Sequence, residues 1–188
     1  FANLDVGANI NSVYGNGQGG LSIATTNGAT FYQNANGGPT SGSINSNFFP
    51  FVPSMEWDSY VSIGSYNQNG DPFGANNLNN IGIDWPSFES GGTLETDNGT
   101  WFVTPGDVQG NELNGQVFLG QFTVRGGKGD ASDLVGQMNI QGTDSEGSTW
   151  SVVGASWSTA VVPEPSTALL MSLGLTGLAA KRRRRNRS

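Results

Sequence analysis

Short runs of β-favouring residues, separated by glycine, asparagine and proline, fill most of this chain. No stretch before Pro163 repeats apolar residues with the 3.6-residue period of an amphipathic helix. The runs end instead at turn-forming residues, and glycine alone occupies 29 of the 188 positions. About eight to ten strands with roughly even turn spacing predict one all-β domain over residues 1–160, an antiparallel β-sandwich or jelly-roll-like fold.

Three pairs of runs are typical of hairpins, because each pair flanks a short turn that contains glycine. The second and third pairs also share a threonine before the turn and a tryptophan early in the return strand. That likeness indicates recurring hairpin chemistry or an old duplication. The three turns are Thr26-Asn27-Gly28, Asp97-Asn98-Gly99 and Asp144-Ser145-Glu146-Gly147.

Residues 55–66 show the clearest alternation in the first half of the chain. One side would carry mainly apolar residues and the other mainly polar ones, which predicts a strand with one solvated face. We also expect a strand over residues 116–125, with Phe118 and Phe122 on one face. Residues 81–85 are predicted to form a short strand that Pro86 ends.

A different pattern occupies residues 161–188, where a proline pair is followed by an apolar run and a basic cluster. Pro163 and Pro165 flank Glu164 and favour an extended backbone that another protein can read. Residues 167–180 carry no charge, which suits a membrane helix. The positive-inside rule would keep the basic cluster on the cytoplasmic side. The cluster comprises Lys181, Arg182, Arg183, Arg184, Arg185 and Arg187.

This order of Pro-Glu-Pro, apolar helix and basic tail resembles the PEP-CTERM sorting signal of exported proteins in Gram-negative bacteria. The resemblance implies that an exosortase-type enzyme recognises the Pro-Glu-Pro region and removes the helix and tail. It also implies an inner-membrane intermediate, followed by release to the cell surface or the extracellular space. A helix over residues 167–180 would be about 21 Å long at ~1.5 Å per residue, which is short against a hydrocarbon core of about 30 Å. A short anchor suits a temporary signal, and a permanent C-terminal anchor is the alternative.

Charge and composition exclude several classes of function. Fourteen acidic residues and two basic ones, Arg125 and Lys128, precede Pro163, which leaves this part with a net charge of about −12. Such a charge argues against nucleic acid as a partner. The chain contains no cysteine and no histidine. Thiol nucleophiles, disulfides, histidine-based triads and the common zinc sites are therefore excluded.

One pair of carboxylates invites comparison with an enzyme. On a strand, Glu56 and Asp58 would project from the same face, and glycoside hydrolysis needs two carboxylates. The stretch is similar to the Glu-x-Asp-x-x-Glu motif of laminarinase-type glycosidases. Val61 stands where that motif has its last glutamate. We therefore expect no catalytic residues and interpret the pair as solvated or turn-capping side chains.

Two kinds of binding site remain as alternatives. Asn67, Asn69 and Asp71 resemble the start of a calcium loop, although Leu78 stands where the twelfth-position glutamate belongs. We expect no cofactor and no metal, with ordinary Asx turns as the main interpretation and calcium as the alternative. The other oxygen-rich pairs are Asp97 with Asn98, Asp130 with Asp133, and Asp144 with Glu146. The tryptophans that would stack on sugars, if exposed, are Trp57, Trp85, Trp101, Trp150 and Trp157.

These observations favour a non-enzymatic exported protein with a structural or adhesive role at the cell surface or in the extracellular matrix. Its expected partners are the processing enzyme, the membrane before processing, and an extracellular polysaccharide. A carbohydrate- or calcium-binding module is the second hypothesis, and a polysaccharide-active enzyme is the third.

Overall fold

The computed structural model describes residues 1–18, 20–128 and 133–159. The described residues are mostly β, in antiparallel sheets with little helix, so the predicted fold class is confirmed. The predicted helix over residues 167–180 lies outside the described residues. The strands are β1 Ala2–Asn3, β2 Asn9–Gly15, β3 Leu21–Thr25, β4 Ala29–Phe31, β5 Tyr60–Val61, β6 Asn79–Ile81, β7 Leu94–Thr96, β8 Gly99–Phe102, β9 Gln116–Val117, β10 Gly120–Gln121, β11 Val124–Gly126, β12 Leu134–Thr143 and β13 Thr149–Ser158. One α-helix, α1 Trp85–Glu89, and 3₁₀ helices at Ser41–Ser43, Ser46–Phe48, Pro53–Trp57 and Val108–Gly110 complete them.

The main sheet is built around β12, a strand of ten residues that pairs with β13, β2 and β3. β13 pairs with one edge of β12 along nearly its whole length. On the other edge β2 and β3 lie end to end, with β2 opposite residues 139–143 and β3 opposite residues 134–137. The two short strands therefore form one interrupted row of the sheet.

The next row repeats this arrangement with β8 and β7. Gly99 of β8 pairs with Gly15, and Thr96 of β7 pairs with Leu21, so these strands also lie end to end. The predicted hairpin at Asp97-Asn98-Gly99 is therefore wrong, because these residues join two collinear segments. Glycine is required at position 15, because a Cβ there would lie 2.0 Å from the carbonyl oxygen of Thr96. β6 pairs with β8 and forms the outer row.

The first predicted turn is present, although its strands separate. Asn27 and Gly28 both have positive φ, 55° and 78°, and the amide of Ala29 donates to the Thr26 carbonyl at 2.9 Å. This is the geometry of a type I′ turn, which the Asn-Gly pair favours. Before the turn β3 belongs to the main sheet, and after the turn β4 pairs with β11 in the second layer. The turn thus connects the two layers of the fold.

The second layer consists of short strands and loops. The predicted strand over residues 116–125 is broken into β9, β10 and β11, which pair in turn with β1, β5 and β4. Gly120, at φ 148°, lies at one break. The breaks place Phe118 against Phe1 and Tyr66, while Phe122 packs against Phe31, Phe88 and Trp157.

The core lies between the main sheet and this second layer. The sheet contributes Trp101, Val13 and Ile23, and the second layer contributes Val61 and Phe88, all fully buried. Trp101 also donates its indole N–H to the Ser62 carbonyl at 3.2 Å, which ties the layers together. The arrangement is sandwich-like.

The predicted strand over residues 55–66 is wrong. Pro53–Trp57 is a 3₁₀ helix, and only Tyr60 and Val61 are in a strand. The alternation predicted a strand with one solvated face, but its polar members Ser59, Ser62 and Ser65 are fully buried. Their hydroxyls find partners inside the fold; Ser59, for example, donates to the carbonyl of Thr123 at 3.1 Å.

The prediction for residues 81–85 is wrong in its bounds and in the role of Pro86. The strand is Asn79–Ile81, and α1 begins at Trp85 with Pro86 in its first turn. Proline is tolerated there, because the first amide groups of a helix have no intrahelical partner.

The third hairpin is confirmed as β12 and β13. Gly147 donates its backbone N–H to the carbonyl of Asp144 at 3.0 Å and closes the turn. In the ladder Trp150 pairs with Gly142 and Trp157 pairs with Gly136. A Cβ on Gly136 would lie 2.3 Å from the Trp157 ring, so each glycine makes room for the indole opposite it.

Candidate functional site

The predicted sorting residues lie outside the described residues. These are Pro163, Glu164 and Pro165, together with Lys181, Arg182, Arg183, Arg184, Arg185 and Arg187. The described residues end at Thr159, whose backbone N–H and Oγ1 both donate to the Leu134 carbonyl at 3.1 Å.

The structure separates the two carboxylates of the glycosidase comparison. Glu56 is exposed on the 3₁₀ helix and Asp58 is fully buried, so the expectation that both project from one strand face is wrong. Asp58 caps a loop: its Oδ1 accepts from the amides of Asn34 at 2.7 Å and Ser59 at 3.0 Å, and its Oδ2 accepts from Gly38 at 3.0 Å. The turn-capping interpretation is confirmed for this residue.

Burial raises the pKa of Asp58 above its ordinary value of 3.8. Its three hydrogen bonds from backbone N–H groups stabilise the charged form and oppose that shift, while the nearby Glu89 adds to it. Because all of its partners are backbone groups of neighbouring loops, the carboxylate positions the chain.

The candidate calcium loop uses its oxygen atoms internally. The side-chain amide of Asn67 donates to Asp71 Oδ2 at 2.9 Å, and Asn67 Oδ1 accepts from the Asn69 amide at 3.0 Å. Asn69 in turn donates to Ser46 Oγ at 3.3 Å. These contacts are those of an Asx turn held against a neighbouring 3₁₀ helix.

The other oxygen-rich loops are also turn structures. Asp144 Oδ1 accepts from the amides of Glu146 and Ser148 at 3.1 and 2.7 Å. Asp133 is buried and accepts from the Asn27 side chain at 2.9 Å, while Asp130 lies outside the described residues. Asp97 and Asn98 are exposed. Across residues 1–18, 20–128 and 133–159, no three Asp or Glu side chains are grouped so as to hold a metal ion.

The tryptophans do not form a shared platform. Trp101 is fully buried, Trp57 is 62% exposed, and Trp85, Trp150 and Trp157 are half-buried. Trp150 and Trp157 face the inner side of the main sheet over their glycines, and Trp85 donates to Asn80 Oδ1 at 3.0 Å. The structure therefore does not bring these residues together as a sugar-stacking surface.

A different surface combines aromatic and polar side chains. On the side of the main sheet away from the core, a groove of about 320 Å³ crosses β8, β2 and β12. We call it the outer-face groove. It is lined by Asn11, Ser12, Tyr14, Thr100, Phe102, Val103, Pro105 and Gln141.

Strand register explains how these residues meet. Ser12 pairs with Phe102 and also with Gln141, and Tyr14 pairs with Thr100, so all five share one face of the sheet. Sequence reasoning missed the groove, because β2 and β8 are almost ninety residues apart. The available signal was alternation: Ser12 and Tyr14 flank the buried Val13, and Thr100 and Phe102 flank the buried Trp101.

Comparison with known proteins bears on residues 161–185, which match the family model described as the PEP-CTERM protein-sorting motif. Neither the curated proteins nor the solved structures gave a match to this chain. Among the described residues, no helix has the length and apolar character needed to cross a membrane. The matched segment contains Pro163, Glu164 and Pro165. The chain therefore carries a PEP-CTERM sorting motif, consistent with a substrate of an exosortase.

Proposed function

We propose that this chain is an exported protein whose β domain has a structural or adhesive role at the cell surface or in the extracellular matrix. The observation that carries the proposal is the sorting motif at residues 161–185, directly after the β domain. In this proposal the domain is delivered outside the cell, and the helix and basic tail are removed by the processing enzyme.

The surface charge of the domain suits a protein that is surrounded by water. Of the acidic residues in the described ranges, Asp58 and Asp133 are buried and the others are at least partly exposed. Arg125 stacks on the ring of Tyr32 at 5.1 Å, and Lys128 is exposed. A strongly negative surface repels other anionic surfaces, so adhesion would use neutral contacts or bridging cations.

The last strand supports a structural role. β13 pairs with β12 on one side, and none of the other described strands pairs with its outer edge. Its Val152 and Val153 are 47% and 54% exposed. An open edge of ten residues can pair with another strand. Gly154, with φ 69°, interrupts the edge at a bulge opposite Asn139, which limits pairing to the two halves of the strand.

Two other functions remain as proposals. A calcium-binding role has little support, because the candidate loops use their oxygens in Asx turns. The proposal of a polysaccharide-active enzyme has even less support, because Glu56 is exposed and Asp58 is buried among backbone amides. That the protein is not an enzyme stays a prediction.

The sorting step is tested by replacing Pro163 and Pro165 with alanine and expressing the chain in a Gram-negative bacterium that carries an exosortase. The double variant should stay in the membrane fraction with its tail attached, because the enzyme no longer meets the extended motif. Pro50→Ala, at an exposed proline of the β domain, is the control and should be processed like the parent chain. Normal release of the double variant would contradict the proposal.

The structural role needs a separate measurement. Deleting the chain from its source bacterium should weaken cell–cell cohesion in a surface-grown film, and the parent chain should restore it. The Pro163→Ala, Pro165→Ala chain should fail to restore cohesion. A film of unchanged strength after deletion would leave the sorting intact and exclude the structural role.

A further inference from the structure

The outer-face groove has an aromatic side and a polar side. Tyr14 and Phe102 occupy diagonal positions on neighbouring strands, a spacing of about 7–8 Å between such residues. Both side chains are half-buried, so part of each stays accessible. Two aromatic rings on neighbouring strands offer apolar contact area at low entropic cost, since each aromatic side chain has only two rotatable bonds.

The polar side includes a group without a partner. A register shift between β2 and β12 leaves Asn11 as an extra residue between Ile10 and Ser12. Asn11 is 7% exposed and lines the groove, and its Oδ1 is buried with no hydrogen-bond donor among the described residues. A buried carbonyl oxygen left without a donor is costly. The last torsion of an Asn side chain is soft, so rotation of the amide would present the oxygen to a ligand hydroxyl.

The remaining polar groups suit hydroxyl ligands. Gln141 is exposed on the same face and offers an amide with both donors and an acceptor. The Thr100 hydroxyl already donates to the Val13 carbonyl at 2.9 Å, so toward a ligand it is an acceptor. The groove therefore offers both donors and acceptors to a ligand.

Charge narrows the class of ligand. Among the described residues, no Asp, Glu, Lys or Arg lines the groove, although the domain around it is strongly acidic. An anionic ligand would meet repulsion with no cation to receive it, and a cationic ligand would find no carboxylate there. A neutral molecule with apolar faces and many hydroxyls fits both the rings and the amides.

We propose that the outer-face groove binds a neutral saccharide, through stacking on Tyr14 and Phe102 and hydrogen bonds to Asn11 and Gln141. The binding is independent of the sorting motif, and it would give the domain a way to adhere that its negative charge does not oppose. A negative result in an in vitro binding test would therefore leave the export proposal intact. A negative result in the export test would likewise leave the binding proposal intact.

The test is the migration of the full chain in native gels that contain a soluble neutral polysaccharide, with a mild non-ionic detergent in every sample. The probes are a β-1,3-glucan, a hydroxyethyl cellulose and a galactomannan, with alginate as the anionic comparison. At least one neutral probe should slow the chain, and alginate should not. Phe102→Ala and Tyr14→Ala should each weaken binding about tenfold, the effect of losing a central aromatic contact.

Two variants keep the result interpretable. Gln141→Ala changes an exposed side chain and should weaken binding without loss of the β signal in circular dichroism. Trp57→Ala removes an exposed aromatic side chain that does not line the groove and should bind like the parent chain. The proposal is overturned if no neutral probe slows the chain, or if binding survives both ring truncations. It is also overturned if the rings instead support a dimer in sedimentation, which would assign the groove to a second copy.

Discussion

Asp58 is the side chain whose removal should most clearly reveal how the loops are held. Asp58→Ala leaves two backbone N–H groups, of Asn34 and Gly38, without the acceptor that the fully buried Asp58 provides, whereas the Ser59 N–H keeps the Tyr32 carbonyl at 3.1 Å. Each unsatisfied buried donor costs about 1–3 kcal/mol. The variant also escapes the cost of burying a carboxylate, so we expect a net loss of about 3 kcal/mol in the free energy of unfolding.

The measurement is urea unfolding followed by tryptophan fluorescence at pH 7. Glu56→Ala is the matched control, because it removes an exposed carboxylate two positions away and should change stability by less than about 0.5 kcal/mol. A loss at Asp58 no larger than at Glu56 would refute the reasoning, since it would mean that the amides of Asn34 and Gly38 find other partners or water.

The same residue gives a pH dependence whose sign follows from its raised pKa. The folded state holds the Asp58 proton more tightly than the unfolded chain, whose value is near 3.8. The contribution of Asp58 to stability is therefore fully present below that value and is lost as the pH rises through the folded pKa. The stability advantage of the parent chain over Asp58→Asn should shrink across this window. An advantage that grows with pH would contradict the raised pKa.

Three further predictions concern the sheet, the domain boundary and cations. Gly136→Ala should destabilise the fold by about 1–3 kcal/mol in urea unfolding, because its Cβ would lie 2.3 Å from the Trp157 ring; Gly17→Ala, with no atom within 4 Å, should be near neutral, and equal effects would contradict this. A chain that ends at Thr159 should be soluble and monodisperse with a β-type circular dichroism spectrum, and a substantial helical signal would refute the domain boundary. Calcium and magnesium at equal ionic strength should raise the melting temperature equally, since Asp71 is occupied by an amide; a calcium-only shift lost in Asp71→Ala would establish a specific site.

Features decided by local chemistry were predictable from the sequence. The Asn27-Gly28 pair adopts the positive φ values that its turn requires, and the β12–β13 hairpin follows its Asp-to-Gly turn. The all-β class followed from the same short-range signals. The sorting motif was also readable, because a linear motif carries its information in residue order alone.

Features decided by distant contacts were not predictable. Ser62 is held in the core by two hydrogen bonds. Its hydroxyl donates to Ser41 Oγ at 2.9 Å, and its carbonyl accepts from the indole N–H of Trp101. Neither partner is visible from the alternation around Ser62, so a strand was expected where a loop crosses the core. The prediction of a hairpin at residues 97–99 was wrong for the same reason, since β7 pairs with β3 and not with β8, the next strand in the chain.

The outer-face groove is also formed by distant contacts and was therefore not predictable from the sequence. Tyr14 and Phe102 come together through the pairing of β2 with β8, and Asn11 enters through a register shift against β12. None of the five tryptophans lines the groove, so the tryptophan pattern in the sequence did not indicate it.

The most direct test of export and processing is the mass of the mature C-terminus of the protein recovered from the culture supernatant or the cell surface. Processing at the sorting motif predicts a chain that ends close to residues 163–166 and lacks both the apolar run at residues 167–180 and the basic tail. A released or surface protein whose C-terminal peptide still reaches Ser188 would contradict the account.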